Sequence, residues 1–134
     1  MAPRTWRACR DVLPRAEELA GTFAERSGPN CFATVLAAAG AGDDDAWLLQ
    51  PAFEDWLRTA CTRGGRDDRP GTVLVWRDGE GLVQHAAVTI GDGWAMEKPA
   101  QTWWTARGVH DVGALVKANR VSGQRLERHQ IVAG

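Results

Sequence analysis

The chain has 134 residues, enough for one domain that buries its own core without disulfide or metal staples. Sixteen basic and seventeen acidic residues give a formal charge of -1, so no global field draws nucleic acid or an anionic membrane, and neither is expected as a partner. Three cysteines, an odd number at wide spacing, argue against a disulfide framework and against zinc, and they fit a reducing cytoplasm with no cofactor.

No segment has the apolar run of a signal peptide or of a membrane span, which again leads to a cytoplasmic expectation. Residues 11–25 put Leu13, Ala16, Leu19, Ala20 and Phe23 at helical spacing, with Pro14 in the first turn, and predict a first helix. A second is expected over 29–39, with Pro29 in its first turn and Gly40 at its end, so that Cys31 falls in the opening turn. Asp43, Asp44 and Asp45 read as cap and dipole-matched carboxylates for a helical stretch through Trp47, Leu48, Leu49, Phe53, Trp56, Leu57 and Ala60, with a possible break at Pro51.

After a loop over 63–71 the pattern changes to strands. Thr72 to Trp76 predicts one strand, Leu82 to Ile90 a second and Trp94 to Lys98 a third, with turns over 78–81 and 91–93 and Pro99 closing the meander. Residues 106–109 are expected to loop, 112–118 to form a short helix capped by Asp111, and 125–132 to form a last strand. Helices first and sheet second make an α+β fold, one domain over 1–134.

Cys31 is the most informative residue. A cysteine at a helix N-terminus meets unpaired N–H groups and the positive end of the helix dipole, which favour thiolate over thiol. On the predicted second strand, His85 can serve as its base, and Glu97 on the next strand can hold the ring. Direct pairing of His85 with Glu97 would also pair Thr89 with Gly93 and leave Ile90, Gly91 and Asp92 as a hairpin loop; a bulge would shift this, and Gln101 is the substitute if the register differs. The Cys31 helix would then pack across the His85 face, where Ala33, Ala37 and Ala38 permit a close approach.

Asn30 is read either as a contributor to substrate binding or as a local cap. Trp103 and Trp104 are candidates to line a substrate cleft, whereas Trp47, Trp56 and Trp76 read as core. Cys9 and Cys61 read as buried thiols, and His110 and His129 as surface or structural. Glu97 alternatively pairs with Lys98 or Arg107 nearby.

The order of these motifs resembles the NlpC-like cysteine peptidases and the related CHAP amidases, compact members of the papain-like fold. It runs from Asn30-Cys31-Phe32-Ala33 through His85-Ala86-Ala87-Val88-Thr89-Ile90-Gly91-Asp92-Gly93 to Glu97. The resemblance covers roughly residues 27–98, and 70–76 is similar to the strand that precedes the histidine strand there. It implies Cys31 as nucleophile, His85 as base and Glu97 as the residue orienting the histidine. Two departures stand out. The family commonly has Asp-Cys-Ser-Gly around its nucleophile, and its third residue is more often His, Asn or Gln.

The implied activity is a thiol hydrolase that cleaves an amide or ester of a peptide or small-molecule acyl substrate through a cysteine acyl-enzyme. A cytoplasmic tailoring role fits the chain better than cell-wall peptide, the family's usual substrate. An acyltransferase or amide-forming cyclase would use the same triad, and a non-catalytic Trp-rich binding protein is the reading from a different class. The sequence leaves the oligomeric state open.

Overall fold

The computed structural model describes residues 2–23, 30–42, 50–98 and 106–132. Its elements are α1 (Pro3–Cys9), α2 (Ala16–Leu19), α3 (Cys31–Ala38), α4 (Gln50–Ala60), β1 (Cys61–Arg63), β2 (Thr72–Arg77), β3 (Val83–Gly91), β4 (Trp94–Glu97), β5 (Gly108–Asp111), α5 (Val112–Ala118) and β6 (Arg125–Ile131). Among the described residues this is an α+β fold in which one sheet, antiparallel throughout, runs in the order β1-β6-β2-β3-β4-β5.

Where one helix was expected over 11–25, the described residues form only the short α2 with turns around it, and a separate helix, α1, precedes that span. Pro3 opens α1, where its missing N–H falls among donors that lack a helical acceptor anyway. Gly21, at φ +76°, follows α2 in a conformation that stops a helix, and Phe23 is 55% exposed. The expected second helix is present as α3. Gly40 ends it as anticipated: at φ +74° its N–H donates to the Ala37 carbonyl while the Ala41 N–H reaches that of Leu36, a Schellman closure. Pro51 is the second residue of α4 as described, and the part of the expected stretch before Gln50 lies outside the described residues. Pro29, Asp43, Asp44, Asp45, Trp47, Pro99, Gln101, Trp103 and Trp104 lie outside the described residues.

The meander of β2, β3 and β4 is as expected, and Asp111 caps α5 by accepting from the Ala114 N–H at 2.9 Å. Two strands come from segments read otherwise. Cys61–Arg63, taken as a helix end and loop, pairs with β6, which enters the sheet between β1 and β2. Gly108–Asp111, taken largely as loop, pairs with β4 at the sheet's other edge. Short edge strands need no apolar alternation, so neither carried a strand pattern.

Both faces of the sheet are covered. Val73, Val75, Ala86, Val88, Ile90 and Met96 point into the larger core with α1 to α4, where Phe32 of α3 stacks on Phe53 of α4 at 4.6 Å between ring centres. Leu74, Trp76, Ala87 and Ala95 point the other way and meet Val112 and Leu115 of α5. Cover on both sides explains why β2 reads as an unbroken apolar run. Trp56 packs at the rim of the larger core and Trp76 is buried in the smaller one.

An ion network fastens α4 to the sheet. Arg77 of β2 donates from Nε to Glu127 of β6 at 2.8 Å and pairs through its other nitrogens with Glu54 of α4. Burial pushes the Glu127 carboxyl up, but hydrogen bonds from Arg77 and His129 and the charges of Arg77 and Arg63 outweigh it and hold it at about 2. A depressed carboxylate adds stability above its unfolded value and loses it as pH falls through the folded one. Glu127→Gln is therefore expected to lower the unfolding free energy at pH 7 by about 3 kcal/mol and to flatten the acid limb between pH 4.5 and about 2. Denaturant melts of both proteins across that range check this; parallel pH profiles would contradict it.

Candidate active site

Asn30, extended at φ -117° and ψ -178°, is the N-cap of α3, and its Oδ1 accepts from the Ala33 N–H at 2.9 Å. Its side chain is thus engaged as a cap, the second of the two roles the sequence offered. Helix geometry leaves the N–H groups of Cys31 and Phe32 with no acceptor four residues back, so two donors lie beside the thiol. Residues 32–38 are all buried, Ala33, Ala37 and Ala38 among them, whereas Cys31 is half-buried. The nucleophile candidate stands where a buried helix first emerges.

His85 owes its direction to a bulge. Val83 pairs with Arg77 and His85 with Trp76, so Gln84 is an extra residue on β3. Val83 and Ala86 both face the larger core. Two-residue alternation from Val83 would send His85 to that side too; the inserted Gln84 turns it to the side of Trp76, whose ring lies 5.3 Å away, centre to centre. The His85 side chain is 15% exposed, and its Nε2 lies 2.6 Å from Oε2 of Glu97.

That contact was expected, but not by this register. Val88 pairs with Met96 and Thr89 with Ala95, and a second bulge at Ile90 brings Gly91 opposite Trp94. Continuing the ladder puts Glu97 across from Ala87 rather than His85. The slip is two residues, so Glu97 keeps to the same face and reaches His85 diagonally. The position of α3 is a further correction. Its Cys31 packs against the larger core, on the opposite side of the sheet from Trp76. Cys31 nonetheless acts on the His85 ring and favours its charged form, beyond the last paired residues of β3 and β4.

With Nε2 engaged by Glu97, Nδ1 is the ring nitrogen left for Cys31. Burial disfavours a charged ring, but hydrogen bonding of the ring to Cys31 and Glu97, with the charges of both, prevails and raises the His85 pKa from 6.5 to about 9. These partners favour the charged form of the ring.

Glu97 bonds His85 and Asn119 rather than Lys98 or Arg107. Asn119 went unnoticed in the sequence because nothing local marks it: it ends α5, and only the docking of α5 against the sheet brings it to Glu97. Lys98 alternates to the α3 side and is fully buried, and continuing the β4–β5 register sets it across from Arg107. Burial and the Arg107 charge push the Lys98 pKa down, while Cys31 acts in the opposite direction. Arg107 donates from Nη1 to the Thr22 hydroxyl at 2.9 Å.

The other cysteines have a different character. Burial raises the Cys9 thiol to about 11, with Glu17 adding to the rise and Arg10 opposing it; burial alone takes Cys61 to about 11. His110 is exposed, and His129 is a structural partner of Glu127 at 3.2 Å. Among the described residues no cluster of three side chains suited to a metal ion is present, and no helix is long and apolar enough to cross a membrane. No protein-family model and no curated protein matches the sequence.

The His85 titration should have its midpoint near 9 in the parent and fall toward 6.5 in Glu97→Gln and in Cys31→Ala, since each removes one support of the imidazolium. Ring carbon chemical shifts followed by NMR against pH check this. A midpoint near 6.5 in the parent would mean that the three groups do not act together.

Proposed function

We propose that this protein is a thiol hydrolase of the NlpC-like, papain-like type, cleaving an amide or ester of a peptide or small molecule through an acyl-enzyme on Cys31. The observation that carries this reading is the His85 Nε2–Glu97 Oε2 contact at 2.6 Å, together with the influence of Cys31, at a helix N-terminus, on that same ring. Structural thiols lack such a link, as Cys9 and Cys61 illustrate.

The proposed chemistry starts from a Cys31 thiolate and a His85 imidazolium. The Cys31 thiolate attacks the substrate carbonyl and forms the carbon–sulfur bond of a tetrahedral intermediate. Its oxyanion faces the N–H groups at the start of α3, a kind of donor whose loss costs about 3 kcal/mol in other enzymes. The His85 imidazolium protonates the departing amine or alcohol as the bond to it breaks, leaving a thioester on Cys31 and a neutral ring. Neutral His85 then takes a proton from water as the oxygen attacks the thioester. Collapse expels the thiolate, gives the carboxylic acid product and restores the ion pair. Glu97 holds the Nε2–H throughout, which keeps Nδ1 aimed at the sulfur and the incoming water.

Incubation with activated esters and anilides, followed by intact-mass and peptide mass spectrometry, tests the proposal. An acyl adduct on Cys31 that turns over is expected. It should be absent from Cys31→Ala and slowed at least about 100-fold in His85→Ala. Acylation that ignores His85, or that falls equally on Cys9 and Cys61, would refute it.

A further inference from the structure

Glu97 is a buried carboxylate, 6% exposed, and one of its oxygens, Oε2, takes two hydrogen bonds. His85 Nε2 is 2.6 Å away and Asn119 Nδ2 is 3.0 Å away. The same Asn119 nitrogen donates its second hydrogen to the Leu115 carbonyl at 2.9 Å, in the last turn of α5. A main-chain carbonyl only accepts, so the NH2 group rather than the amide oxygen must face α5, and that group also meets Glu97. The orientation of the amide is thereby fixed by its partners. Asn119 is itself held, as the C-cap of a helix anchored through Val112 and Leu115 in the smaller core.

We propose that Asn119 is a positioning residue of the site, holding the Glu97 side chain in the one orientation in which Oε2 meets His85 Nε2. An NH2 group donates and cannot accept, so Oε2 of Glu97 is the acceptor in this contact. A carboxylate out of water also needs its lone pairs satisfied, and Asn119 supplies a donor that the ring alone does not. This explains how an acidic third residue is accommodated. Without the amide the carboxylate can rotate away from the ring. The groups that act electrostatically on His85 are Cys31 from α3 and Glu97 from β4; Trp76 from β2 and Asn119 after α5 are neutral.

The proposal rests on the hydrolase reading for its catalytic meaning only, and the test separates the two. His85 is titrated by NMR in the parent, Asn119→Ala, Asn119→Ser, Glu97→Gln and the Glu97→Gln/Asn119→Ala double variant, with thermal unfolding measured alongside. Asn119→Ala is expected to lower the His85 midpoint by about one pH unit, and Asn119→Ser, which keeps a donor, to recover part of it. In the Glu97→Gln background the alanine change should move the midpoint no further. A residue that only caps α5 would lower the melting temperature and leave the midpoint where it was, and that result overturns the proposal. So does a shift of equal size with and without the Glu97 carboxylate. Should Asn119→Ala fail to fold, the serine variant carries the comparison: a midpoint between those of the parent and Glu97→Gln is expected, and one equal to the parent's with a lowered melting temperature overturns the proposal. An Asn119-dependent midpoint in a protein that acylates nothing sinks only the hydrolase reading, and acylation with an Asn119-independent midpoint sinks only this one.

Discussion

A carboxylate buried beside an imidazole is the constraint on which the rest of this site depends. Glu97 lies largely out of water, where a polar group needs hydrogen-bond partners, and His85 and Asn119 provide them. Once the carboxylate is in place, the ring is fixed at Nε2 and favoured in its charged form. The other ring nitrogen, Nδ1, is left free of Glu97, and Cys31 also favours the charged ring. Three elements from distant parts of the chain, α3, β3 and β4, are needed to make this arrangement, and the end of α5 adds the support behind it.

The sheet makes the alignment possible through two irregularities. The extra residue Gln84 directs His85 to one face, and the bulge at Ile90 sets the β3–β4 ladder so that Glu97 arrives diagonally. Helix α3 contributes from the other face. Its buried length is locked against the sheet, which leaves Cys31 with little freedom beyond its own rotamers, and Lys98 adds a buried cation on the same side. The ion network and the candidate site lie on different elements. The Arg77–Glu127–His129 network fastens β2 to β6 and, through Glu54, to α4, while the thiol site occupies the region of α3, β3 and β4.

Much of the site was legible in the sequence, because each partner carries a local signal. Asn30 and Cys31 read as a cap and first helical residue, and the alternation around His85 reads as a strand. The hairpin register was wrong by two residues, yet the contact survived, since an even slip preserves the face; a slip of one would have lost it. The face on which α3 packs was misread because a bulge cannot be located from alternation alone. Pro3 marked a helix start that the apolar spacing of residues 11–25 obscured, and the edge strands β1 and β5 had too little pattern to be seen. Asn119 is the clearest case of what a chain read alone withholds, since its role depends entirely on where α5 docks.

The most direct test is the rate of alkylation of each cysteine against pH, read by peptide mass spectrometry in the parent and in His85→Ala. If the thiolate and imidazolium coexist, Cys31 labels rapidly below neutral pH and slows sharply when His85 is removed, while Cys9 and Cys61, raised to about 11, label slowly in the folded protein. Labelling of Cys31 no faster than the other two, or indifferent to His85, would contradict the coupling and with it the proposed chemistry.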